Sequence, residues 1–300
     1  MERSPEFGPG CWVNLVAPTP EELARVQEDL GILPEFLRYP LDEEETSRVE
    51  REEDQLLIIV KIPDPRHEDD YVRYETIPLG IVLTDDAMVT VCLKETQLIE
   101  GLTQTPRLRP PMLSNKTRFI FQVFLRIAYE YLRHLRFIDR LTNEYEEQLH
   151  RSVRNKELIK LLNLEKSLVY FNTSLRANDL VMARLQSGRY ITIGEEDEDI
   201  LEDALTENQQ AIEMAKIYSD ILSGMMDAYA SVISNNLNIV MKFLTSVTIV
   251  LMLPNLVASI YGMNVQLPFQ HSPHAFAMTM GFSFVLSGIV VYVFIKKKMF

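Results

Sequence analysis

No Asp, Glu, Lys or Arg occurs between Phe243 and Ile295. This gap in the charge pattern constrains the fold more than any other feature, because it holds two apolar runs, 243–262 and 275–295. A helix of about 20 mostly apolar residues is long enough to cross the hydrocarbon core of a bilayer. The uncharged residues 263–274 join the two runs, so the segment predicts a hairpin of membrane helices. Lys242 precedes the first run, and a basic tail of Lys296, Lys297 and Lys298 follows the second. Lys and Arg favour the cytoplasmic side. Both termini are therefore expected in the cytoplasm of a multi-pass protein of the inner (plasma) membrane, with the 263–274 loop outside. The triplet of lysines suffices as a stop-transfer signal, and a place at a pore mouth is a second reading of it.

Everything before Lys242 is strongly charged, and the 300-residue chain has a formal net charge of −13. An acidic cytoplasmic domain on a two-span membrane unit is the result. The acidity argues against a nucleic-acid partner, since phosphate binding needs clustered Lys and Arg. The N-terminal stretch "MERSPEFGPGCWVNLV" lacks the basic start and apolar run of a secretory signal. Cys11 and Cys92 are spaced as reduced thiols, not as a disulfide framework. There is no Gly-rich phosphate loop, HExxH or nucleophile elbow, so neither an enzyme nor an organic cofactor is expected.

The soluble part divides at about residue 114. Residues 1–114 read as an α/β region. "CWVNLVAP" is a strand, then Thr19 caps a helix with Pro20 at its first position. Residues 46–63 predict a hairpin turning near Glu52–Asp54, and "YVRYETIPLGIVLT" and "AMVTVCLK" add β-rich runs. Residues 115–198 read as helical, with helices over 115–151 and 155–187. The run "GEEDEDILED" at 194–203 fits a solvated helix start or a cation-sensing surface of dense carboxylates. A further helix is expected over 199–262, its membrane part 243–262, with no strong break before Pro254. The chain is then an α/β cytoplasmic domain, a long helical stalk and two C-terminal transmembrane helices. The ends are the external loop 263–274, the second span 275–295 and the tail 296–300.

Two faces of the long helix repeat at coiled-coil spacing. Ala211, Ala215, Tyr218, Leu222, Met225, Tyr229 and Val232 form one, which argues for packing against other helices. The second runs Asp220, Gly224, Asp227, Ser231, Ser234, Asn238, Met241, Thr245, Thr248, Met252, Asn255, Ser259, Gly262. It is mostly polar or small and enters the membrane without changing register; Ser246 is a polar exception off it. Polar side chains at membrane depth face a bundle interior or a wet cavity. They can be helix–helix glue, or they can line a pore. Two spans per chain cannot enclose a pore, so the second reading requires several copies around an axis. Asp220 and Asp227 would then form acidic rings at the cytoplasmic end. Neutral oxygens across the membrane suit hydrated Mg²⁺, which sheds water reluctantly. Met241 and Met252 would make narrow apolar rings, able to gate by dewetting.

"YGMN" at 261–264, directly after the first span, resembles the signature of the CorA divalent-cation transporters. "SNNLNIVMKFLT" at 234–245 and the terminal "KKKMF" are also similar to that family, as is "WVNLVAPTPEEL" more weakly. The resemblance implies a homopentameric, funnel-shaped Mg²⁺ channel, partnered only by its own copies and the lipid bilayer. It implies that Gly262, Met263 and Asn264 form the selective outer mouth, with Asn264 holding a hydrated ion. It implies that Asn238, Met241, Leu244, Met252 and Asn255 line or gate the pore, although Leu244 falls one step off the periodic stripe. Asp203, with Glu202 beside it, sits where the family has a regulatory Mg²⁺ site between subunits. Asp85 and Asp86 are the candidates for the partner carboxylate. Mg²⁺ is thus both the transported and the regulatory ion. The loop after the triplet lacks the acids some members carry and has His271 and His274, so a zinc or other transition-metal transporter of the same architecture is an alternative. A membrane-anchored sensor or scaffold that conducts nothing is another.

Overall fold

The computed structural model describes residues 11–68, 71–96, 98, 101, 115–151, 155–268 and 272–297. The His271 and Lys298 expectations lie outside these residues. The chain forms two compact units, Met1–Gly224 and Met225–Phe300.

The first unit is built on a five-stranded sheet. Its strands are β1 (Cys11–Val16), β2 (Arg48–Glu52), β3 (Gln55–Glu68), β4 (Tyr71–Leu83) and β5 (Ala87–Cys92), in the order β1-β5-β4-β3-β2. β1 pairs parallel with β5 and the other pairs are antiparallel. Helix α1 (Pro20–Leu30) starts as the sequence predicts. The Thr19 hydroxyl accepts from the Glu22 N–H, the Glu22 carboxylate accepts from the Thr19 N–H, and Gly31 closes the helix at φ 63°. Short α2 (Pro34–Arg38) leads into a 3-10 turn, Tyr39–Leu41. Gly80 on β4 is required here, because a Cβ would lie 2.1 Å from the Pro40 side chain. Leu57 and Ile59 of β3 join Leu15, Val26, Phe36, Val82 and Val89 in one core layer. The alternate residues Ile58, Val60 and Ile62 are equally buried on the other face. A sheet covered on both faces explains the continuous apolar run "LLIIV".

The second face is covered by α3 (Lys116–Arg151) and α4 (Asn155–Gln186). Phe121, Phe124, Tyr131 and Phe171 are fully buried in this layer. Buried polar side chains of α4 bond to β3 and β4 where prolines occur in the ladder. Pro63, Pro65 and Pro78 sit within the β3–β4 ladder opposite Thr76, Tyr74 and Lys61, and proline has no N–H to give. Asn178 Nδ2 donates to the Lys61 carbonyl (2.8 Å), which also accepts from the Tyr131 hydroxyl, while Asn178 Oδ1 accepts from the Lys61 N–H (2.9 Å). The Ser167 hydroxyl accepts from the Tyr74 N–H, and Ser174 donates to the Thr76 hydroxyl. β3 runs on to Glu68, past the Pro63 end expected from the sequence.

At the far end of β3, Asp64 pairs with Lys94 and Arg66, and Glu75 pairs with Arg66 and Arg73. The Arg73 hydrogen bond, helped by the charges of Arg73, Arg66 and Lys94, holds the Glu75 carboxyl below its ordinary range. Burial pushes the Tyr74 hydroxyl up to about 12, against a small opposing effect of Arg133.

Helix α5 runs from Glu195 to Tyr261, 67 residues and about 100 Å. It begins four residues before the expected Asp199. "GEEDED" supplies four acids to its first turn, Glu195 to Asp197 and Glu198. Asp197 is buried and accepts from the Asn115 amide (2.9 Å), and Arg118 reaches Glu196. Within the first unit Ala211, Ala215 and Leu222 are buried; Asn208 donates to the Leu175 carbonyl and Ser223 to Glu165, both on α4. That face of the stalk thus packs on helices of its own chain, although its last residue, Val232, is exposed. In the second unit α5 is accompanied by α6 (Ala275–Lys296).

Asn178→Ala should orphan the Lys61 N–H, at roughly 1–3 kcal/mol, and leave the Lys61 carbonyl with the Tyr131 hydroxyl alone. Urea unfolding of the solubilised full chain, followed by Trp12 fluorescence, should show a lower midpoint; an unchanged midpoint removes Asn178 from the sheet's support.

Candidate functional site

Both apolar runs are helical. α5 and α6 are the two described helices long and apolar enough to cross a membrane. Within the run, α5 has two unlike faces. Ser246, Val250, Leu253 and Val257 are buried or half-buried, at steps of four, three and four. Ser246 is fully buried at 0 % exposure. α6 is the other described helix of this unit, and its buried positions are also serines, Ser283 and Ser287 at i, i+4. Small residues at a seam let helix backbones approach closely. This accounts for Ser246, the polar residue off the stripe. None of the three hydroxyls has a hydrogen-bond partner among the described residues.

The opposite face is the polar stripe. At 100° per residue its centre lies about 150° around α5 from the seam. Asp220, Gly224, Asp227, Ser231, Ser234, Asn238, Thr245, Thr248, Asn255 and Ser259 are all exposed in the single chain. Met241 and Met252, at 52 % and 64 %, are too. So is Leu244, so exposure does not separate it from the stripe. The Thr248 hydroxyl donates to the Leu244 carbonyl (2.9 Å), which leaves its oxygen as an acceptor only.

α5 ends in a turn. The Gly262 N–H donates to the Ala258 carbonyl (2.9 Å) and the Met263 N–H to Ile260 (3.2 Å). Met263 and Asn264 are exposed beyond it. Gly262 does not have left-handed backbone, and a Cβ there would stand 3.3 Å from the Ala258 oxygen, a tight but small conflict. His274 precedes α6, its N–H donating to the Ser272 hydroxyl. Lys296 ends α6, and Lys297 follows with its N–H on the Val293 carbonyl.

The candidate regulatory residues are dispersed. Glu202 and Asp203 are exposed on α5, and Asp85 and Asp86 are exposed in the turn between β4 and β5. Lys116 holds that turn through the Thr84 and Asp85 carbonyls, at 2.6 and 2.5 Å. Among the described residues no three His, Cys, Asp or Glu side chains gather as metal ligands within one chain.

The sheet, the long helix and the apolar hairpin with its terminal Gly-Met-Asn turn are one arrangement of the whole chain. A family model described as CorA-like Mg²⁺ transporter protein matches residues 9–297. The chain belongs to the CorA family. A cobalt/magnesium transport protein CorA from Methanocaldococcus jannaschii is 32% identical over 288 residues, covering 94% of this chain and 89% of that one. The complete structure of the CorA magnesium transporter from the same organism superposes with a TM-score of 0.80 at 31% identity, over 94% of this chain and 89% of that chain. The cytoplasmic domain of ZntB from Vibrio parahaemolyticus shares the fold at 12% identity, with a TM-score of 0.57 over 75% of this chain and 88% of its own. CorA proteins are membrane transporters, not enzymes, and this chain is a transport protein of that family.

The seam was missed in sequence. Ser283 and Ser287, four apart in the second span, were the available signal. Ser246→Ala should leave thermal stability in detergent unchanged or slightly higher, since that hydroxyl has no partner to lose. Ser246→Leu should overfill the seam and cost about 1–3 kcal/mol. Equal melting temperatures for the two variants would show that Ser246 is not packed.

Proposed function

We propose that this CorA member takes up Mg²⁺, and Co²⁺ as its cobalt/magnesium relative does, through a central pore between identical subunits, five in number. The observation that carries this reading is the polar stripe from Asp220 to Gly262, exposed along its length while the reverse of α5 is closed between Ser246 and Val257. An oxygen-bearing edge is costly against lipid. Several copies turning it toward one axis give it water.

The chemistry follows from what the edge offers. Mg²⁺ keeps its inner waters, and those waters present hydrogens outward. The Asn238 and Asn255 amide oxygens and the Ser259 hydroxyl can accept them. Thr248 suits the task well, because its own hydrogen is spent on Leu244. No charge in the wall binds the ion so firmly that it cannot leave. Met241 and Met252, with Leu244 beside them, would be the constrictions. Asp220 and Asp227 would gather cations at the cytoplasmic end.

At the outer mouth, Asn264 would hold the hydrated ion above the α5 C-terminus. A helix C-terminus carries partial negative charge, and the last turn of α5 has no basic residue to cancel it. This partly replaces the acids that the loop lacks. We place residues 1–242 and the 296–300 tail in the cytoplasm and 263–274 outside, in the plasma membrane. Asp203, with Glu202, would bridge through Mg²⁺ to a carboxylate of the adjacent subunit, Asp85 or Asp86, and hold the pore shut. When cytosolic Mg²⁺ falls, unscreened carboxylates repel and favour the open form.

Asn264→Ala should reduce Mg²⁺ flux into liposomes by an order of magnitude or more, the scale of one lost transition-state contact, while the oligomer persists on size-exclusion chromatography. Full flux excludes Asn264 from selection. Comparing Mg²⁺, Co²⁺, Ni²⁺ and Zn²⁺ in the same assay decides the cargo. Asp203→Ala should conduct at Mg²⁺ concentrations that close the parent; unaltered inhibition in current recordings rules out that carboxylate.

A further inference from the structure

We propose that the cleft between α5 and α6, directly beneath the Gly262-Met263-Asn264 turn, seats one acyl chain of a lipid from the leaflet on that side. The cleft has a volume of about 330 Å³ and is walled by Val257, Ile260 and Tyr261 of α5 and by Ala275, Met278 and Phe282 of α6. The seam closes α5 on α6 at Val257 but not beyond it: Ile260, Met278 and Phe282 are exposed at the cleft's rim. The two helices therefore part at this end of the hairpin.

The wall selects an apolar occupant. Thr279 also lines the cleft, but its hydroxyl already donates within α6, to the Ala275 (2.9 Å) and Phe276 (3.0 Å) carbonyls. The Tyr261 hydroxyl is turned to the Pro268 carbonyl (3.4 Å). Among the described residues no side chain lining the cleft has a donor to spare for a polar ligand, and no charged residue lies between Phe243 and Ile295. The surrounding medium within two membrane spans is hydrocarbon. An unbranched chain can enter such a slot from the side, while its headgroup stays level with Tyr261, where aromatic residues meet the interface.

The choice of lipid over a second copy rests on the pore reading above. Val257, Ile260 and Tyr261 lie on the side of α5 opposite the stripe. With the stripe toward an axis, the cleft opens away from it, toward the bilayer. Tyr261 is both a wall of the cleft and the neighbour of Gly262. A seated chain would brace the end of α5 that carries the selective turn.

The test uses the full-length protein in phosphatidylcholine liposomes containing a phosphatidylcholine with a mid-chain diazirine. Photo-adducts are mapped by mass spectrometry. Adducts should concentrate on Ile260, Met278 and Phe282, about tenfold above those on Phe284 and Val285, which are at least as exposed in the single chain at 66 % and 62 %. Thr279→Trp, or Ala275→Leu where the tryptophan prevents assembly, should fill the cleft and bring its adducts down to the Phe284 level. Uniform labelling would mean ordinary boundary lipid and overturn the proposal. So would an unlabelled cleft in which Phe282→Cys forms disulfides between subunits, the sign that a second copy fills it. The map is read without flux, so loss of transport with cleft labelling retained would count against the pore reading and not against the seat.

Discussion

Hydrocarbon offers no hydrogen bonds, and the rest of this protein's design answers to that. Inside the bilayer a helix satisfies its own backbone, but each polar side chain must face another helix, a backbone carbonyl or water. α5 sorts its polar residues between these fates. Ser246 goes to the seam, small enough to let α6 approach. Thr248 bonds backward to Leu244. Asn255, two amide hydrogens and an oxygen on a short stem, has no such internal refuge on the exposed face. An asparagine there is the strongest single reason for α5 to meet something wet.

The soluble unit solves the same accounting problem differently. Its sheet carries three prolines within a long hairpin. Asn178 and Ser167 on α4 bond the Lys61 and Tyr74 backbone groups that turn away from the β3–β4 ladder, and Ser174 between them bonds the Thr76 hydroxyl. This is why α4 is barely amphipathic in the ordinary sense while still being a core helix. Its inner face holds polar groups because the surface it covers has polar vacancies. The ion pairs around Asp64 and Glu75 are interleaved with these contacts, since those two residues face each other between the Pro63–Thr76 and Pro65–Tyr74 pairs.

Much of this was legible from residue order. The charge gap located both spans, Thr19 and Pro20 announced α1, and β-rich runs marked the five strands. Where the reading fell short, the cause was an interaction between elements distant in sequence. Pro63 reads as the end of a strand until Asn178, far along the chain, is placed beside Lys61. The Ala211–Val232 spacing shows that helices meet, not whose they are, and much of it is taken by α4 of the same chain. The acids of 194–203 looked uniform, yet Asp197 is buried on Asn115 while Asp203 is exposed. Periodicity assigns a face; it does not say what lies against it.

The seam and the stripe make opposite demands on one helix, and their chemistry fits that division. A seam bonded by hydrogen bonds would fix α5 against α6 in one register. The seam observed has buried hydroxyls without partners, and Pro254, half-buried within this part of α5, cannot donate to the Val250 carbonyl in the turn before it. Contacts of this kind are made by shape alone, so a small shift along them breaks no directional bond. On the proposed pore reading the stripe is the reverse: its acceptors must stay at fixed places around an ion's water shell to be useful. That reading asks one helix for a back packed by shape and a front held in register. The back of α5 is also open at the cleft under the Gly-Met-Asn turn, where Ile260 is exposed. On the proposed lipid seat, packing at that end comes from outside the chain and braces the turn.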